Sequence, residues 1–138
     1  MKTLSFIYLY SYKEMRFDFF IGGYFGTNQK VVKDGNDLLC YESLYPVDQS
    51  EVSRISLLNN PKWERIVEFL QICDWRNEYV EEGVCDGTQW TLNANDSDIQ
   101  LDCYGSNAYP SNFKAFVDLL NSLMTSHDFE ISFVENDF

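Results

Sequence analysis

DGTQWTLNANDSDIQLDCYGSNAYPSNFKAFVDLLNSLM, residues 86–124, decides the fold. Asp86-Gly87 is a turn signal, because Gly accepts the positive φ that tight turns demand. From Thr88 to Asn93 the residues alternate, with Trp90 and Leu92 on one side and Gln89, Thr91 and Asn93 on the other. After the turn chemistry of Asn95-Asp96-Ser97, Asp98 to Tyr104 alternates again, with Ile99, Leu101 and Cys103 in phase. Two runs of period two joined by a short polar turn predict an antiparallel hairpin with one apolar face. Gly105-Ser106-Asn107-Ala108-Tyr109-Pro110 then ends the strand. Pro110 keeps Tyr109 out of the helical region and suits a first helical position itself. Apolar residues at 113, 116, 117, 120, 123 and 124 follow the helical repeat, so a helix is expected to lie across the hairpin. Asn107 reads as a turn residue that tolerates a left-handed backbone rather than as an anion ligand.

Working outward, the first third reads as a meander. Thr3–Tyr12 is rich in β-formers on both faces, which suits a strand covered on both sides. Arg16–Phe25 is a second strand, in which Gly22-Gly23 and Gly26 predict a bulge or a sharply bent edge. Gln29–Lys33 and Asp37–Tyr45 flank a hairpin turn at Asp34-Gly35-Asn36. Glu51–Leu58 fits either a strand or a helical turn. Asn60 and Pro61 are an N-cap and a first helical residue, and Trp63, Ile66, Val67, Leu70 and Cys73 then make a helical stripe over 61–73. Trp75 and Tyr79, four apart, predict a further helical turn. Phe129, Ile131 and Phe133 predict a last strand. The expected fold is α+β: one domain over residues 1–138, an antiparallel sheet of about six strands, and two principal helices packed on it.

Composition bounds function. A chain of 138 residues can bury roughly two thirds of its unfolded surface. Its 17% aromatic content supplies a core without disulfides. The net charge is −12, and its placement is lopsided: residues 77–138 hold 12 acids against Lys114 alone, or −11. That field opposes nucleic acid and anionic membranes and favours a basic protein partner. The expected partner-binding residues are Asp74, Glu78, Glu81, Glu82, Asp86, Asp96, Asp98 and Asp102, gathered on one exposed rim.

Catalytic and metal motifs fail on their spacing. GGYFGTN (22–28) lacks the Gly-Lys-Ser/Thr ending of a phosphate loop. Asn93–Asp98 lacks the glycine and closing Glu of a calcium loop. Cys40, Cys73, Cys85 and Cys103 show no C-x-x-C spacing, and His127 is the one histidine, in a turn past a helix. No metal, cofactor or catalytic residue is therefore expected, and the thiols read as reduced in a cytoplasmic protein. The N-terminal MKTLSFIYLYSYKEMRFDF lacks a small-residue cleavage site, and no apolar run approaches the length of a membrane span.

The string Trp75…Tyr79…Asp86-Gly87…Trp90-x-Leu92…Gly105-Ser106-Asn107-Ala108-Tyr109-Pro110…Phe113…Phe116 resembles a pattern of small bacterial proteins of uncharacterised function. That pattern is W-x-x-x-Y, DG-x-x-W and G-x-N-x-YP-x-x-F. It covers residues 70–124 and implies structural roles for Trp75, Tyr79, Gly87, Trp90, Gly105, Asn107, Tyr109 and Pro110, with no catalytic residue. In size, acidity and single-domain character the chain is also similar to immunity proteins of toxin systems, including contact-dependent inhibition. The expectation is a non-enzymatic immunity protein that covers a basic toxin, a nuclease. The alternatives are a small carboxylate hydrolase or ligand-binding domain, with a cleft between the sheet and the 113–124 helix, and an interaction subunit of a larger assembly.

Overall fold

The computed structural model describes residues 15–23, 27–43, 50–83 and 87–133. The expected strand Thr3–Tyr12, Gly26, Cys85 and Asp86 lie outside them. Chain order is β1 (Arg16–Gly23), β2 (Asn28–Asp34), β3 (Asp37–Ser43), β4 (Ser50–Ser56), α1 (Pro61–Gln71), β5 (Glu78–Val80), β6 (Thr88–Asn95), β7 (Gln100–Ser106) and α2 (Phe113–Met124), followed by a 3-10 turn, Thr125–His127. Among the described residues the strands form one seven-stranded sheet, in the order β4-β3-β2-β1-β6-β7-β5. Every neighbouring pair is antiparallel except β5 with β7, which run parallel. The α+β class stands, with one strand more than the sequence predicts.

The hairpin forms in the expected phase. Trp90, Leu92 and Ala94 on β6 sit opposite Gly105, Cys103 and Leu101 on β7, and all are buried. On the other side of β6, Ile21, Phe19 and Phe17 of β1 take the same register and the same face. Both helices cover this face. Phe17 packs edge-on to Trp63 of α1 at 5.4 Å and also meets Phe116 of α2. Phe19 contacts both Phe113 and Phe116. Between sheet and α2 these rings pack together with the buried Leu120.

The helix starts differ in how well the sequence marks them. Asn60 caps α1, its Oδ1 accepting from the main-chain N–H groups of Lys62 and Trp63 at 3.1 and 3.4 Å. The helix stops at Gln71, two residues before the end of the apolar stripe. Pro110 does not open α2 as expected. A Ser111-Asn112 turn intervenes, closed by the bond from Phe113 N–H to the Pro110 carbonyl at 3.0 Å, and the helix begins at Phe113. The Glu51–Leu58 ambiguity resolves as strand β4.

Two expectations about strands are overturned. Gly22-Gly23 does not mark an edge, because β1 lies at the centre of the sheet, paired along its length with β6. The glycines instead permit close approach: a Cβ on Gly22 would collide with the Asn28 amide, and one on Gly23 would lie 2.7 Å from the Gly87 carbonyl oxygen. The stretch 129–133 alternates buried and exposed as read, yet it joins no ladder. Side-chain amides take the place of a strand partner. Gln29 donates to the Glu130 carbonyl at 2.7 Å and accepts from Ser132 N–H at 2.8 Å. Asn121 donates to the Ile131 carbonyl and accepts from Ile131 N–H, at 3.1 and 2.7 Å. Buried backbone polar groups need partners, and here they find amides.

The closest approach in the sheet is at Gly105, where an added Cβ would fall inside the Trp90 indole. Overpacking of this kind costs about 1–3 kcal/mol. Gly105→Ala is therefore expected to lower the urea midpoint by an amount in that range, and an unchanged midpoint would refute the packing. Burial also raises the thiols of Cys40 and Cys73, to about 12 and about 11 against an ordinary 9.0. Below pH 9 both the folded and unfolded chains hold these protons, so the thiols leave stability intact there. Above it the unfolded thiols ionise first, and stability drains away towards the folded values. The urea midpoint is expected to be lower at pH 10.5 than at pH 8, and to drop less in Cys73→Ala; an equal drop in both would show that Cys73 contributes nothing.

Candidate partner-binding surface

The segment from Asp74 to Gly83 departs from the helical turn that the Trp75–Tyr79 spacing predicts. It runs extended instead, with β5 at its centre. Asn77 carbonyl accepts from Tyr104 N–H at 2.9 Å, and Glu81 N–H donates to the Ser106 carbonyl at 3.0 Å, which zips the segment parallel to β7. Strand alternation then puts Tyr79 above Gly105 on the covered face and turns Glu78 and Val80 the other way.

The residues of the sequence pattern converge on one corner. Trp75 is buried against Trp90 (5.6 Å, edge-on) and Phe113 (5.8 Å, stacked), and Tyr79 leans on Trp90 at 6.0 Å. The two indoles each satisfy their donor: Trp75 Nε1 to Asn112 Oδ1 at 2.6 Å, and Trp90 Nε1 to the Ala108 carbonyl at 3.0 Å. Asn107 adopts φ 58°, its N–H donates to the Thr88 carbonyl at 2.9 Å, and its amide occupies the space that a side chain on Gly87 would need. Tyr109 packs on Phe113 and Phe133 at 5.0 and 4.9 Å. Burial pushes its phenol above the usual range, and a hydrogen bond with Thr88 partly offsets this. Pro110 is buried beside it.

An open depression of about 430 Å³ lies over this corner, lined by Asp74, Trp75, Arg76, Tyr79, Tyr109 and Pro110 among others. Arg76 lays its guanidinium 4.6 Å from the centre of the Tyr79 ring, a cation–π contact, while its main-chain N–H donates to Tyr79 Oη at 3.0 Å. A second open depression, about 410 Å³, is lined by Asn121, Thr125, Asp128, Phe129 and Glu130. No cluster of metal-ligating side chains occurs among the described residues.

The expected acidic rim divides in two. Asp74, Glu78, Glu81 and Glu82 are exposed along the segment that carries β5. Asp96 and Asp98 sit at the far end of the hairpin, roughly 20 Å away along β7 at about 3.3 Å per residue. Asp102 lies between, exposed, and accepts from Asn95 Nδ2 at 3.2 Å. Asp96 is a turn residue, its Oδ1 accepting from the main-chain N–H groups of Asp98 and Ile99 at 2.7 and 2.8 Å. Among the described residues the ion pairs are Arg54 with Asp37 and Glu51, and Lys114 with Asp118, so none neutralises the acids of the β5 segment.

Sequence reasoning missed three residues here. Asn112 is separated from Trp75 by 37 positions, and no local signal joins them. Val80 and Tyr104 are 44% and 43% exposed; Tyr104 is legible as the end of a strand, whereas Val80 falls in the stretch that reads as a helical turn. No family model, curated protein or solved structure matches the chain.

The two kinds of acid are separable by stability. Asp96→Ala removes two turn bonds and is expected to cost about 1 kcal/mol or more. Asp98→Ala leaves both donors capped and is expected to stay within about 0.5 kcal/mol of the parent. Equal urea midpoints for the two variants would remove the structural role of Asp96.

Proposed function

We propose that this chain is a non-enzymatic immunity protein that neutralises a basic toxin domain, a nuclease, by covering its active surface. The observation that carries the reading is the uncompensated charge. Residues 77–138 hold −11, and Asp74, Glu78, Glu81 and Glu82 stand exposed on the β5 segment without an ion-pair partner. Carboxylates in such an array steer a basic partner during diffusion and present it with the charge of a phosphate chain. Cys40, Cys73 and Cys103 are free, which is compatible with the cytoplasmic site of action this reading calls for.

Asp96 uses its Oδ1 in its own turn, whereas Asp74, Glu78, Glu81 and Glu82 on the β5 segment and Asp102 on β7 stand exposed, which supports giving them the steering role. The test is a bait experiment with lysate of the source cells, eluted in rising salt, followed by kinetics with the protein recovered. A basic nuclease released progressively by salt is expected. Neutralising Asp74, Glu78, Glu81 and Glu82 together should slow its association about tenfold at low ionic strength and flatten the salt dependence. The reading fails if no basic protein is retained at low salt, or if the fourfold variant associates at the parental rate.

A further inference from the structure

The side of the sheet opposite the helices has a charge pattern of its own. Strand alternation and register place Arg54 of β4, Lys30 of β2 and Arg16 of β1 outward on one half. The outward positions of β6, β7 and β5 carry no base. They carry Asp102 and Glu78, with Tyr104 and Val80 between and beside them. Glu78 is the register partner of Tyr104, and Val80 is the partner of the next outward residue, Ser106. Tyr104 and Val80 are two of the five large apolar or aromatic side chains exposed among the described residues, and this face brings them together.

We propose that this outward face of β6, β7 and β5 is the docking surface for a basic protein, with Tyr104 and Val80 as its apolar centre. The inference rests on the reading above and adds to it the face and the residues that hold the partner once steering has delivered it. The occupant follows from charge. A second copy would bring Glu78 and Asp102 against their own counterparts, a like-charge contact that disfavours docking. Nucleic acid and anionic lipid meet the same repulsion. A surface with Lys or Arg around an apolar side chain meets complementary groups at every point. An exposed Tyr with acids at its border also has the anatomy of an interface centre, an aromatic contact that holds and a charged rim that selects.

The roles predict different kinetics, and that makes the face testable. The probe is the cation-exchange-retained protein fraction of the source cells, passed over the immobilised full chain. Tyr104→Ala with Val80→Ala should speed dissociation of the retained basic protein about tenfold or more while leaving association within twofold, since packed centres act mainly through the off-rate. Leu58→Ala with Ile72→Ala, which trims exposed apolar residues elsewhere, should leave both rates unchanged. Asp102→Lys is the second probe of the face: it keeps Tyr104 and should abolish retention, whatever becomes of the double variant's fold. Retention by the parent together with parental kinetics in both face variants overturns this surface and leaves the immunity reading standing. No basic protein retained by the parent overturns both.

Discussion

The indole of Trp90 lying against the bare Cα of Gly105 is the constraint from which the rest of the corner follows. Only glycine lets β6 and β7 pair with a full indole lying over the ladder. That ring then becomes the common wall for Trp75 and Tyr79 of the 74–83 segment and for Phe113 of α2. Its N–H holds the Ala108 carbonyl, which fixes the turn before α2. Trp75 reaches Asn112 at the same turn, so the extended 74–83 segment and the helix start are tied to one hydrophobic centre. The parallel β5, only three residues long, has little pairing of its own and depends on Tyr79 being held there.

This arrangement explains why charge and packing coexist on so short a segment. Inward-facing Trp75 is buried and Tyr79 half-buried, and the intervening and flanking Asp74, Glu78, Glu81 and Glu82 have no choice but solvent. Because the segment is the last strand of the sheet among the described residues, its acids sit at an edge, where charge also discourages unwanted strand pairing. The other end of the sheet, by contrast, mixes signs and ties Arg54 to Asp37 and Glu51, exposed pairs that contribute little to stability. A single sheet thus has one balanced half and one uncompensated half.

Local signals in the sequence were read well where the structure is local. The β6–β7 hairpin, the Asp34-Gly35-Asn36 turn and the Asn60 cap all rest on neighbouring residues, and their patterns carried through. Failures came where the deciding partner is distant. Trp75 and Tyr79 four apart satisfy a helix and equally a strand entering from a coil, and only the Tyr104–Ser106 backbone chooses between them. Gly22-Gly23 looks the same in a bent edge as in a crowded centre until Asn28 and Gly87 are known to be adjacent. The 129–133 stretch has the alternation of a strand, but Gln29 and Asn121 supply its hydrogen bonds from side chains, which no period reveals. For the surface, the amount of acid was legible and its division between the β5 segment and the Asp96 turn was not, since that depends on how far β7 separates them.

The most direct test of immunity is protection in cells. The basic protein recovered with this chain would be expressed from an inducible promoter in a strain lacking the chain, alone and with the chain supplied in trans. Growth arrest relieved by the parent chain, and not by one whose β5-segment acids are neutralised, is the expected result. Unimpeded growth without the chain, or arrest that the chain does not relieve, would contradict the function proposed.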